Sequence, residues 1–284
     1  MTEQLHTDEG TLAYDLQGSG PLVVLAHGMG DSRRSYRFVV PQLVAAGYRV
    51  ANLDIRGCGD SSTGWQGYER ADIARDLVAL VRHLGGPAVI VGQSISGGAA
   101  TIAAATAPEL VAGVVELAPF TRAQSVDLVR LLRNARHRAG SLQLIRVMAT
   151  GSLQGWLSYL DVAIPAKPQD WEAERHCIET ALRRPERMAV LRAMTRTSPA
   201  DAGARLADVR CPVLVVEGDA DPDWADPRAE GLRILADLPA GNGELAVLDG
   251  VGHYPHAEAP DRVVALLQPF LARTLTATGT ATDA

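Results

Sequence analysis

The sequence predicts an α/β domain in which a mostly parallel sheet is covered by helices on both faces. Three observations predict it. Short runs of branched apolar residues alternate with amphipathic helical patterns, the order that parallel strands and their crossover helices require. Most of these runs are apolar on both faces, as strands buried between two helical layers must be. The alternation breaks once, between about Phe120 and Arg210, where the chain becomes helical, arginine-rich and tryptophan-containing without a convincing buried strand.

The first ten residues, MTEQLHTDEG, are polar and acidic, and no strand is assigned to them. Strand candidates follow at 12–17 (LAYDLQ), 22–27 (LVVLAH) and 48–54 (YRVANLD). Ile73, Leu77, Leu80, Val81 and Leu84 recur at helical spacing, so 70–84 reads as an amphipathic helix. AVIVGQ at 88–93 is the next strand, followed at once by an alanine-rich helix from Ile95 to about Ala107, which Pro108 ends. VAGVVELA at 111–118 precedes the helical stretch, and PVLVVEG (212–218) and ELAVLDG (244–250) resume the sheet. Val263, Val264, Leu267 and Leu271 mark a last helix over 260–273. The reading is a core of residues 1–120 and 211–273, a cap over 121–210, and a low-complexity tail over 274–284 that is expected to be disordered. A cap inserted between two strands lies over their carboxyl ends, where open α/β sheets bind ligands.

Composition narrows the function. Of 284 residues 47% are hydrophobic, enough for one large core, and 33 acidic against 27 basic residues leave a net charge of −6. No positive field is available for nucleic acid or an anionic membrane. The three cysteines, Cys58, Cys177 and Cys211, are an odd number without metal-ligand spacing, so neither a disulfide framework nor a zinc site is predicted. No apolar run approaches the roughly 20 residues of a membrane span, and no signal segment is read at the start. A reduced, cytoplasmic setting, no cofactor and no metal are the expectations, and a homodimer is compatible with them.

The stretch VIVGQSISGG, 89–98, is where chemistry is expected. The strand stops at Gly92 and the helix begins at Ile95, so Ser94 occupies a strand-to-helix corner. A nucleophile on such a corner projects clear of the backbone, with the following amide free to bind an oxyanion. Serine is also among the best helix N-caps, and the pentapeptide alone leaves that reading open. A nucleophilic serine needs a base and an orienting acid. LVVEGDADPDW places Asp219, Asp221 and Asp223 beyond one buried strand, and VLDGVGHYPH places His253 beyond the next.

On these residues the chain resembles an α/β hydrolase from about residue 10 to about 273. HGMGDS at 27–32 is similar to the family's oxyanion loop, DIRGCGDSS at 54–62 to its D-x-R-G-x-G-x-S turn, GQSISGG to its nucleophile elbow, and GHYPHAEAP at 252–260 to its histidine loop. The resemblance implies an eight-stranded, mostly parallel sheet with the cap after the sixth strand. It makes Ser94 the nucleophile, His253 the general base and Asp221 the orienting acid, with Met29 and Ile95 supplying the oxyanion amides. Glu116, on the strand at 111–118, is the alternative acid, and Asp219 and Asp223 are then solvated turn residues. His27 is expected to hold the oxyanion loop, His256 to be a surface or loop-packing residue, and Asp54 and Arg56 to build a tight turn. The elbow departs from the usual G-x-S-x-G, because Ser96 stands at the last position with Gly97 behind it.

A serine nucleophile implies acyl transfer, and ester or lactone hydrolysis of a small molecule is the first reading. Carbon–carbon bond hydrolysis, amide cleavage and perhydrolysis use the same residues, and a non-catalytic receptor uses the same fold. Trp156, Tyr159 and Trp171 in the cap are candidate pocket walls, with core packing favoured for two of the three.

Overall fold

A computed structural model describes residues 2–123 and 134–279, the last four of these as helical backbone. Its eight strands are β1 (Thr2–His6), β2 (Thr11–Gln17), β3 (Leu22–Ala26), β4 (Arg49–Leu53), β5 (Ala88–Gln93), β6 (Val111–Leu117), β7 (Val213–Gly218) and β8 (Gly243–Leu248). They form one sheet in the order β1-β2-β4-β3-β5-β6-β7-β8. β1 and β2 run antiparallel to their neighbours, and the rest are parallel. Every residue of β3, β5 and β7 is buried, which is why these strands read as unbroken apolar runs.

Two apolar clusters, one on each face of the sheet, make the core. Ile90, Leu77, Ile73 and Val114 belong to one, and Val89, Val91, Leu267 and Phe270 to the other. Alternate residues of β5 thus feed opposite layers, as the period of two in a strand demands.

β1 escapes the sequence reading because its side chains are largely exposed and carry no apolar alternation. It is recruited by backbone pairing to β2, with Leu5 opposite Leu12. The tail reading also needs correction. The last helix runs from Pro260 through Gly279 rather than ending at 273, and Thr274 and Leu275 are buried. Gly113 leaves the room for this, since a Cβ there would come within 2.8 Å of Thr274 Cγ2. Residues 280–284 of the predicted tail lie outside the described residues.

The cap follows β6, as predicted. Its described part comprises the helices Ala135–Thr150, Leu153–Ala163, Trp171–Leu182, Pro185–Met194 and Ala200–Gly203; residues 124–133 lie outside the description. Trp156, Tyr159, Leu160, Trp171 and Leu191 form its own apolar cluster, and Tyr254 and Ala257 from the histidine loop pack into it. That shared cluster seats the cap over the carboxyl ends of the strands. Among the described residues no helix is long and apolar enough to cross a membrane.

Candidate active site

Ser94 sits between β5 and the helix Ile95–Thr106 with φ 55° and ψ −119°, a conformation that non-glycine residues rarely adopt. The corner is held by main-chain bonds: Ser94 N–H donates to Leu117 O at 3.0 Å, and Phe120 N–H donates to Ser94 O at 3.1 Å. Small residues make it sterically feasible. A Cβ on Gly92 would collide with the Ser96 carbonyl, and one on Gly28 would press on Gln93 and on Ser94 Cβ. The side chain of Ser96 is accommodated because its hydroxyl donates to His27 O at 2.6 Å, tying the elbow to the HGMG loop. The substitution at the elbow thus adds a bond between two loops of the site.

His253 and Asp221 meet as the sequence predicts. His253 Nδ1 donates to Asp221 Oδ2 at 2.8 Å, with both residues buried. Asp223, expected as a solvated turn residue, is instead 4% exposed and places Oδ2 3.3 Å from the same nitrogen. The correction has a local cause: Asp221 Oδ1 accepts from Asp223 N–H at 2.9 Å, and Tyr159 of the cap donates its hydroxyl to Asp223 Oδ2 at 2.6 Å. The turn and the cap together draw the second carboxylate inward. Asp219 is exposed and accepts from Gly250 N–H at 2.7 Å.

Burial disfavours a charged His253 ring, but Asp221 and Asp223 outweigh it and push the imidazole from its ordinary 6.5 up to about 9. Asp223 is raised by burial and, against the pull of His253, by the charge of Asp221. Asp221, Asp223 and His253 are the one group among the described residues whose donor atoms are near enough to one another to hold a metal ion. Their bonds to one another and to Tyr159 already occupy the facing atoms.

Glu116, the alternative acid, has no contact with His253. It is fully buried on β6, where it accepts from the hydroxyls of Thr101 and Thr121, the latter at 2.8 Å, and burial raises it. His27 donates from Nδ1 to Gly28 O at 2.7 Å and accepts from Ile55 N–H at Nε2, holding the HGMG loop as expected. His256 packs in the loop but is fully buried rather than at the surface, stacked 4.3 Å from Tyr36. Burial lowers it to about 3, so it stays neutral. Asp54 and Arg56 both take part in buried ion pairs, with different partners. Asp54 pairs with Arg33, and Arg56 makes a two-pronged pair with Asp76 at 2.7 and 2.8 Å.

Met29 and Ile95 leave their amides without an acceptor among the described residues, and Ile95 N–H belongs to the unsatisfied first turn of its helix. Ser94, His253 and Met29 line one cavity of about 230 Å³ together with Phe120, Trp156 and Tyr159. Two of the three cap aromatics therefore face the cavity, Trp156 and Tyr159, while Trp171 packs in the cap cluster. All three pack in the cap's apolar cluster, and Trp156 and Tyr159, in one turn of the helix Leu153–Ala163, serve both surfaces.

Two supporting residues were not singled out from the sequence. Gln93 Nε2 donates to His253 O at 2.9 Å, so the residue before Ser94 also steadies the histidine loop. Glu258 accepts from the amides of Gly252 (3.0 Å), Tyr254 (3.0 Å) and Ala166 (3.1 Å), binding that loop to the cap. A polar residue ending a buried strand was the available signal for Gln93; Glu258 had none.

A family model described as "Alpha/beta hydrolase family" matches residues 23–266. The 2-(acetamidomethylene)succinate hydrolase of Mesorhizobium japonicum is 28% identical over 267 residues, covering 92% of this chain and 91% of that protein. A 2-hydroxy-6-oxononadienedioate/2-hydroxy-6-oxononatrienedioate hydrolase of Klebsiella pneumoniae is 29% identical over 286 residues, covering 95% of each. Among solved structures, a thermophilic esterase from Thermogutta terrifontis shares the fold with a TM-score of 0.76 at 24% identity, covering 97% of this chain and 99% of the esterase. Sheet order, cap position and family match agree: this chain belongs to the alpha/beta hydrolase family and is a hydrolase with a helical cap over its sheet.

Proposed function

We propose that the protein is a serine hydrolase that cleaves a small carboxylic ester or lactone through an acyl-enzyme on Ser94. The observation that carries this reading is the convergence on one cavity of a strained, exposed-to-cavity serine, a histidine hydrogen-bonded to a buried carboxylate, and an amide with no internal acceptor. In the first half-reaction the Ser94 oxygen attacks the carbonyl carbon while His253 Nε2 takes the hydroxyl proton. Met29 and Ile95 amides stabilise the oxyanion, and the C–O bond to the alcohol breaks as His253 returns the proton to it. Water, deprotonated by the same ring, then releases the acid.

The ring must be neutral to accept a proton, and its affinity for the proton is raised. Activity is therefore lost as pH falls through about 9, and kcat/KM should climb across the alkaline range rather than level off near 7. Asp223→Asn removes one of the carboxylates that hold the ring proton, so it should move that limb to lower pH. An unchanged limb in this variant would disconnect Asp223 from the base.

A second reading is favoured by the relatives whose names give 2-(acetamidomethylene)succinate and 2-hydroxy-6-oxononadienedioate as substrates. The same residues would then open an amide, or a carbon–carbon bond beside a ketone. A panel of p-nitrophenyl esters and lactones run beside those two compounds decides between them. Turnover of esters and lactones supports the first reading; turnover confined to the other two compounds replaces it with the second.

A further inference from the structure

Arg70 is a buried cation in the wall of the same cavity as Ser94 and His253. It opens the helix Arg70–His83, is 2% exposed, and has no carboxylate within ion-pair distance among the described residues. The acids of its own helix are engaged elsewhere: Asp72 takes the Glu69 amide and Arg75, and Asp76 takes Arg56. Glu69 and Asp201 act on it only at longer range, and burial outweighs them, lowering the guanidinium to about 10. A buried charge without a partner is costly unless the site gains its counter-charge from a ligand.

The guanidinium is nonetheless held in place. Nε donates to Phe120 O at 2.8 Å and Nη1 to Thr197 Oγ1 at 3.1 Å, which leaves Nη2 and one N–H of Nη1 without an acceptor among the described residues. Phe120 in turn donates its amide to Ser94 O, so the fork is positioned through one residue from the nucleophile's own backbone. Gly98 makes the seat, because a Cβ there would stand 2.9 Å from both Arg70 Cδ and the Phe120 carbonyl oxygen. Thr195 and Thr197 line the cavity beside it. A planar pair of donors with fixed direction in a largely apolar cavity matches a carboxylate.

We propose that Arg70 is a specificity-determining residue that receives a free carboxylate on the substrate, so that the preferred substrate is an ester or lactone carrying a second, ionised carboxyl group. This rests on the ester reading of the site, and the experiment separates the two. Mono-p-nitrophenyl adipate and the uncharged p-nitrophenyl heptanoate present the same reacting carbonyl. The wild-type protein should prefer the adipate in kcat/KM by about 10- to 100-fold, the worth of a hydrogen-bonded charge pair. Arg70→Gln should bring that ratio close to one, mainly through KM for the adipate, and Arg70→Lys should keep an intermediate ratio. Equal wild-type rates on the two esters, or loss by the same factor on both in Arg70→Gln, would overturn the subsite and leave the ester reading standing. If neither ester is turned over, calorimetry of monomethyl adipate binding to Ser94→Ala and to Ser94→Ala with Arg70→Gln decides. Binding that disappears with Arg70 upholds the subsite while the ester reading fails; no binding to Ser94→Ala overturns the subsite.

Discussion

Ser94→Ala is expected to lower kcat by on the order of 10⁴- to 10⁶-fold while leaving the melting temperature close to that of the parent, the range set by losing the nucleophile of an interdependent group. The reasoning is local. The hydroxyl has no hydrogen-bond partner among the described residues, whereas the strained backbone of the corner is secured by the amide and carbonyl of residue 94, which alanine keeps. Stability should therefore be spared where activity is not. Steady-state turnover of the best ester, with thermal melts of both proteins, checks the pair of statements. Turnover within tenfold of the parent would mean that another group attacks the carbonyl.

Asp221→Asn should be milder than the loss of a lone orienting acid. An amide that donates toward His253 Nδ1 forces the wrong tautomer, and where no second acid is present this costs about 10⁴ in kcat. Here Asp223 Oδ2 stands 3.3 Å from the same nitrogen and is kept an acceptor by the hydroxyl of Tyr159. It can take the proton of Nδ1 when Asp221 no longer does. The expected loss is about 10²- to 10³-fold for Asp221→Asn, rising to about 10⁴-fold only when Asp223→Asn is added. Kinetics of the two single variants and the double variant form the cycle that measures this. Purely multiplicative losses would show that the carboxylates act independently and that Asp223 offers no substitute.

How far the sequence reaches can be judged from these same residues. Ser94 was legible because a buried strand, a glycine and a helix start meet around it within a few residues, and His253 because its loop carries its own glycines and proline. Their partner relations depend on the fold. Asp219, Asp221 and Asp223 are spaced alike along the chain, and only the turn they build, with Tyr159 arriving from 64 residues away, sends two of them to the imidazole and one to solvent. β1 was hidden for a different reason: a polar edge strand is stabilised by its neighbour's backbone, which leaves no mark on side-chain periodicity. Arg70 is, in sequence, one more charged residue at a helix start. Its meaning comes from burial against Gly98 and Phe120, contacts across 28 and 50 residues that no local pattern encodes.

In the proposed reaction Ser94 is an activated nucleophile in a site that binds acyl groups. The most direct measurement is to incubate the protein with a fluorophosphonate at pH 9 and to locate the adduct by peptide mass spectrometry, with Ser94→Ala treated in parallel. One adduct per chain is expected, on Ser94, abolished in the variant. A folded protein that remains unlabelled at Ser94, or one labelled equally in the variant, would contradict it.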